Sequence, residues 1–321
     1  MSHGWAEQLV VTVAIEADDP AVVGRTGSYR SLDGLERFHA LCRRYAVAPT
    51  YLLTWSAAGE ARCVECLRAW AAEAEVGAHL HPEEVPPIAA AERGVTTLRP
   101  RDVEPDRLRE KVANLIGRVA EVVGQRPTSY RAGFLDLTPP HVAALAEQGI
   151  EADSSLGALE KTREGHPYLQ APLAPYVLSP HNVCCHEPHG SVVEVPVTSV
   201  FRRPFPRALW GAYFGAPGRV RGLLQRVGLA ELLRFRPAMA SAEGLVAACA
   251  RTACLRVPAV MSIHSNELSA GTSAGVRTAE QSETYFERLE CLFAWTRENA
   301  WTSRTLTAVA RDVRDGKGAA R

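Results

Sequence analysis

Two histidines one residue apart close a short apolar run, Glu75-Val76-Gly77-Ala78-His79-Leu80-His81-Pro82. On an extended strand, side chains alternate between faces, so His79 and His81 project to the same side, and proline stops the strand behind them. A pair of neutral imidazoles at a strand end is a good start to a metal site but lacks a carboxylate. An earlier run, Val10 to Ile15, supplies candidates where it ends in Glu16-Ala17-Asp18-Asp19-Pro20. A later one, Ala259-Val260-Met261-Ser262-Ile263-His264, delivers a third histidine. Arg131 and Asp153 fall at two further strand ends.

Together these residues have the parts of a metal-dependent hydrolase. A metal polarises a carbonyl and acidifies water, a base takes the water's proton, and an acid protonates the leaving group. Asp18, His79 and His81 are expected to hold the metal and leave positions open for water and substrate. Alternation places Glu16 on the same face as Asp18, which suits it as the base. His264 suits the acid, Asp153 can fix its tautomer, and Arg131 can pair with Glu16 and keep it ionised. Each residue alone has a plainer reading: a core histidine, a carboxylate capping a turn, an arginine in a structural pair. Those readings give no reason for all of them to fall at successive strand ends.

The elements that must position these groups follow a β-α-β-α-β order. Leu9 to Ile15 is a continuous apolar run suited to a strand buried on both faces. Ser31 to Tyr45 carries an apolar stripe at helical spacing, Pro49 to Trp55 is a strand, and Gly59 to Ala74 a helix before the histidine strand. This alternation predicts parallel strands joined by helical crossovers. Pro82 to Glu104 is a long proline-rich loop leaving directly from the histidines. Beyond it come a helix at Pro105–Gly124, a strand at Thr128–Gly133, a helix at Pro139–Gln148 and a strand at Ile150–Ser154. From Leu156 to Arg236 the periodicity weakens; strands are expected at Pro175–Leu178 and Val192–Val197, a Pro/Arg-rich loop at Arg202–Arg207 and a helix at Val220–Leu233. Helices at Ser241–Thr252 and Thr278–Asn299 flank a strand at Val260–Ile263. A short strand at Trp301–Thr302, a helix at Arg304–Val313 and a disordered tail, 314–321, end the chain. The expected architecture is one α/β domain, residues 1–313, built on a parallel barrel or barrel-like sheet with its chemistry at the carboxyl ends of the strands.

Bulk properties fit a globular enzyme. The 321 residues are 46% hydrophobic and 22% charged, with 36 basic against 36 acidic side chains. That chain-wide balance favours neither nucleic acid nor an anionic membrane as partner. No run approaches the roughly 18 apolar residues that would span a bilayer, and the first residues lack the basic and apolar regions of a signal peptide, so a cytoplasmic location is expected. The eight cysteines are expected to be reduced. Cys63-Val64-Glu65-Cys66 has ligand-like spacing but sits in a helical pattern. Cys184-Cys185-His186, near His181 and His189, leaves a loop metal site open.

In order along the chain, these segments resemble the polysaccharide deacetylases, the NodB-homology domain of carbohydrate esterase family 4, and most closely their WalW-like branch. Val11 to Asp19 is similar to the first motif, Val76 to Pro82 to the metal-histidine motif and Ser129 to Phe134 to the arginine motif. Gly149 to Ser155 resembles the aspartate motif, Val193 to Val197 the strand that follows, and Met261 to Leu268 the last motif, whose histidine is the acid. The resemblance spans residues 9 to 310. It implies a distorted (β/α)7 barrel, a divalent metal ion, most often Zn2+, and removal of an N-acyl group, usually acetyl, from an amino sugar. It also implies the roles of base for Glu16, metal ligand for Asp18, His79 and His81, base orientation for Arg131, acid support for Asp153 and acid for His264, with the backbone N–H near Phe134 at the oxyanion. Two departures stand out: the family has adjacent aspartates, leaving Asp18 as base with Asp19 as ligand an alternative, and its histidines are three residues apart. Other readings are an amidohydrolase-type metal hydrolase, whose histidine pair usually closes the first strand, and a non-catalytic sugar-binding homologue.

Overall fold

The computed structural model describes residues 5–162 and 165–317. Eleven strands are β1 (Gln8–Ile15), β2 (Pro49–Leu53), β3 (Glu75–Leu80), β4 (Ser129–Ala132), β5 (Ala152–Asp153), β6 (Tyr176–Val177), β7 (Val193–Glu194), β8 (Ser199–Phe201), β9 (Leu232–Arg234), β10 (Ala259–His264) and β11 (Thr302–Arg304). The helices are α1 (Pro20–Val23), α2 (Leu32–Tyr45), α3 (Ala61–Ala69), α4 (Pro105–Val123), α5 (Pro139–Glu147), α6 (Trp210–Gly215), α7 (Gly218–Arg226), α8 (Ala242–Leu255), α9 (Ala279–Glu298) and α10 (Leu306–Arg314). The strands form a curled sheet in the order β10-β1-β2-β3-β4-β5-β7-β6, with β11 also on β1. All its pairings are parallel except β6 with β7. Just past β7, the Thr198 N–H donates to the Val260 carbonyl of β10 at 3.0 Å, drawing the two ends of the curl together.

Alternation along β1 explains the layering. Leu9, Val11, Val13 and Ile15 join the apolar layer under the outer helices, with Leu35 and Phe38 of α2 and Leu289 and Phe293 of α9. Val10, Thr12, Ala14 and Glu16 share the other face. At its lower end Val10 packs with Leu52, Val193 and Val260 against Leu306 and Val309 of α10, which closes the bottom of the curl. One pleat higher the interior turns polar: the buried Arg131 guanidinium donates to Thr12 Oγ1 at 2.8 Å and Ser262 Oγ at 3.0 Å. Glu16, His79, His81 and His264 crown the same face.

The extended parallel core and most helices agree with the sequence reading to within a few residues. The segment read as one helix, Val220–Leu233, divides instead into α7 and β9, and β8 and β9 pair as a separate antiparallel ribbon. The last helix runs to Arg314, with Asp315 to Lys317 following; the remainder of the expected tail, 318–321, lies outside the described residues. Among the described residues, no helix is long and apolar enough to cross a membrane.

Candidate metal centre

β3 runs buried beside β4, with Ala78, His79 and Leu80 opposite Tyr130, Arg131 and Ala132. Glycines permit this closeness. A Cβ at Gly77 would stand 2.7 Å from the Ser129 carbonyl oxygen, and one at Gly133 would stand 2.6 Å from the Leu80 carbonyl oxygen and 3.3 Å from the His81 ring. The chain then enters a left-handed turn at Phe134 (φ 59°) and Leu135 (φ 53°), a conformation that L side chains hold only when the surroundings enforce it. The Phe134 ring meets His81 edge-on at 5.2 Å between centroids.

Glu16 is the carboxylate that reaches the two imidazoles. Its Oε1 lies 2.9 Å from His79 Nε2 and 3.2 Å from His81 Nε2. The far nitrogens define the tautomers. His79 Nδ1 faces the Arg131 carbonyl oxygen at 3.1 Å; a carbonyl only accepts, so Nδ1–H donates and the neutral ring turns its Nε2 lone pair on Glu16. A proton or a metal ion between two such acceptors would relieve their repulsion. His81 Nδ1 faces Glu83 Oε1 at 3.6 Å, the carboxylate–histidine arrangement that orients metal-bound imidazoles. Burial pushes the His79 pKa down to about 4 despite the nearby Glu16 carboxylate. Burial also opposes charge on His81, but Glu16 and Glu83 outweigh it and raise that pKa. Desolvation likewise opposes ionisation of Glu16, yet the charge of His264 and the hydrogen bond of His81 hold it well below the usual carboxylate range. Among the described residues, this trio is the one group of three or more potential ligands with atoms all within 4.8 Å of one another.

His264 stands behind the trio, with Nε2 3.9 Å from Glu16 Oε1 and Nδ1 3.6 Å from Glu267 Oε1. Glu267 is itself fixed: its Oε2 accepts from the His264 backbone N–H at 3.3 Å and from the Tyr285 hydroxyl at 3.1 Å. Burial lowers the His264 pKa, but the two glutamates outweigh it and raise it.

Four expected placements differ. Asp18 is fully buried, but its Oδ2 accepts from Ser28 Oγ at 2.7 Å and Arg30 N at 2.8 Å, and its Oδ1 from Ser31 N at 3.2 Å. It ties down the loop from 18 to 31 instead of joining the histidines. The regular strand ends at Ile15, so alternation no longer governs position 18. The alternative ligand, Asp19, caps α1 by accepting from Ala21 N at 2.9 Å. Arg131 does not pair with Glu16; its donors go to Thr12, Ser262 and Ser154 in the layer beneath. Asp153 does not reach His264; it accepts from Ser155 and lies against Glu194, and burial raises the pKa of both carboxyls. Sequence reasoning missed Glu83 and Glu267 as partners of the histidines. Their signals were present: an acid two residues after His81, and one three residues after His264.

The thiol candidates do not form a centre. All eight cysteines are free; Cys63 is buried in α3, where burial pushes its pKa up to about 12. The loops after β1 and β10 line an open cleft of about 590 Å3 with polar residues including Arg25, Ser28, Tyr29, Arg30 and Thr272; Glu16, His79, His81 and His264 are not among its lining residues. That size suits a sugar-sized ligand.

Solved structures share this architecture. A Mycobacterium smegmatis protein described as a polysaccharide deacetylase superposes with a TM-score of 0.62 at 20% identity, over 99% of this chain and 93% of its own. The fold is the deacetylase barrel. A Parabacteroides distasonis protein described as a glycoside hydrolase/deacetylase gives a TM-score of 0.58 at 13% identity, over 98% of this chain and 73% of its own. An allantoinase gives 0.51 at 13%, over 96% and 90%. Identities this low establish the fold and leave the substrate open. No protein-family profile matches the chain, and no curated protein matches it by sequence.

Proposed function

We propose that the protein is a metal-dependent hydrolase that removes an N-acyl group, in first place acetyl, from an amino sugar. The observation that carries this reading is the single Glu16 oxygen facing two imidazole nitrogens, with the His264 imidazole behind it. Glu16, His79 and His81 would hold the divalent metal, with Zn2+ suited to this N,N,O donor set. When bound, the ion polarises the amide carbonyl and lowers the pKa of water.

The chain's own groups supply the rest. His264, held by Glu267, takes the proton of the attacking water and returns it to the leaving nitrogen as the C–N bond breaks, giving a carboxylate and a free amine. Glu267 steadies the imidazolium between those transfers, and the Arg131 carbonyl and Glu83 keep the ligand rings in register. Phe134 is assigned to the acyl side of the substrate, beside His81. Asp153, Glu194 and Arg131 form the polar floor. The fold shared with polysaccharide deacetylases supports a carbohydrate amide as the substrate.

The test is acetate release from a panel of N-acetylated amino sugars, with metal content measured on the same samples. Glu267→Gln should lower turnover by roughly 10²-fold or more, as loss of positioned acid–base catalysis does, while metal content stays at the wild-type level. Full activity in Glu267→Gln, or no acyl release from any sugar by metal-loaded enzyme, would refute the assignment.

A further inference from the structure

The segment between β7 and α8 departs from the rest of the chain in charge and in surface. Eight arginines and one acidic residue, Glu231, lie between positions 202 and 239, in a protein whose basic and acidic side chains balance at 36 each over the whole chain. Averaging over the whole chain hides this asymmetry. Arg202 is paired with Glu231, and Arg236 lies 4.0 Å from Glu160. Arg203, Arg219 and Arg226 have no carboxylate partner among the described residues.

The same segment exposes apolar side chains. Val220 and Leu223 of α7 and Val227 at its C-terminal cap recur at helical spacing, and none of the α7 side chains is buried. Leu223 is 59% exposed, Val227 56% and the adjoining Leu229 60%, with Leu209 and Met239 also open to solvent. Phe201, Phe205, Trp210 and Tyr213 pack together beneath and fix the segment to the body. Scattered exposed aliphatics are ordinary; a stripe of them on a short arginine-bearing helix in a locally cationic segment is not.

We propose that this face is a peripheral docking surface for an anionic phospholipid bilayer. Unpaired guanidinium groups complement lipid phosphates, and the Val220–Leu223–Val227 stripe with Leu229 enters the interface between headgroups and acyl chains. Charge complementarity favours a lipid surface over a second copy of this chain, because two copies would bring arginine clusters together. The exposed leucines and valines favour it over nucleic acid, whose backbone offers them no apolar contact.

The test is flotation of the full chain with vesicles of phosphatidylcholine alone or with phosphatidylglycerol. Binding is expected to the anionic vesicles only, weakening as salt rises. It should drop roughly tenfold in Arg219→Glu/Arg226→Glu, and as far in Leu223→Asp/Val227→Asp, whose folding is checked by circular dichroism. The substituted side chains are exposed, so a folded variant is expected. Equal binding to both vesicle types, no binding, salt-dependent binding untouched by the Leu223/Val227 change, or a dimer in light scattering that those changes dissolve would each overturn the proposal.

Discussion

Oε1 of Glu16 is the atom on which the site converges, and the two imidazoles around it are controlled from outside. The Arg131 carbonyl fixes one ring and the Glu83 carboxylate the other. Outer partners of this kind are worth roughly 10–100-fold in metal affinity. Glu83→Ala should therefore weaken Zn2+ binding by about that factor, read by competition against a chelating dye, without changing the far-ultraviolet circular dichroism. Unchanged affinity would mean that Glu83 leaves His81 unaligned. At this scale the sequence singled out both histidines of the pair, Glu16 and His264, which the structure brings together, but expected Asp18 beside the histidines, where Glu16 stands instead. The difference came from extending strand alternation past Ile15, where the chain turns: the Asp18 N–H already bonds to Ser28 across a loop. A buried carboxylate satisfied by three local donors cannot be told from a ligand by its spacing alone.

The element that carries His81 and Glu83 is secured by a helix. Lys111 of α4 is fully buried, and its ammonium donates to the carbonyls of Pro82 at 2.9 Å and Val85 at 2.6 Å and pairs with Glu92 at 3.0 Å. Those three acceptors match the three donors of an ammonium, so one side chain pins the turn that follows the histidine strand. Lys111→Met keeps much of the volume but leaves Glu92 with only Arg107 and the Ala89 N–H and strands two carbonyls. A loss of about 3–5 kcal/mol is expected, the usual cost of breaking a buried pair, measured as ΔG in urea. A loss under about 1 kcal/mol would show that the turn does not depend on the lysine. The sequence marked 82–104 as a long functional loop, but a lysine at an inward helical position gave no hint of its anchor. Elements with several turns or pleats were legible because their periodicity repeats. β5, β6 and β7 fell within strands the sequence marked, but at two residues each they carry too little pattern to pair, and the β8–β9 ribbon was not foreseen.

Across the whole molecule, stability should depend on acid through histidines buried without charge. His141 in α5 is fully buried, and its Nδ1 accepts from Thr138 N at 3.1 Å, so Nε2 carries the proton and has no partner. Burial pushes its pKa down to about 4, against the pull of Asp136. The unfolded chain takes up a proton near pH 6.5 that the folded chain refuses. The stabilisation is therefore complete above about pH 6.5 and is lost as pH falls toward 4, by up to about 3 kcal/mol. His141→Gln should flatten the fall of urea stability across that window by close to one proton; an unchanged slope would show that His141 is charged in the native state. The layered interior ties these scales together. It is apolar over α10, hydroxyl-lined around Arg131, and ionisable at the top, and that order follows from which alternate residues of β1, β3 and β10 are apolar, polar or histidine.

Metal content of two purified variants is the most direct test of the account. Glu16→Ala should lose the metal that wild type binds at one ion per chain, and Asp18→Asn, which keeps an acceptor for the 28–31 loop, should retain it. Metal held by Glu16→Ala but lost from a folded Asp18→Asn would contradict the assignment and return the coordinating role to Asp18.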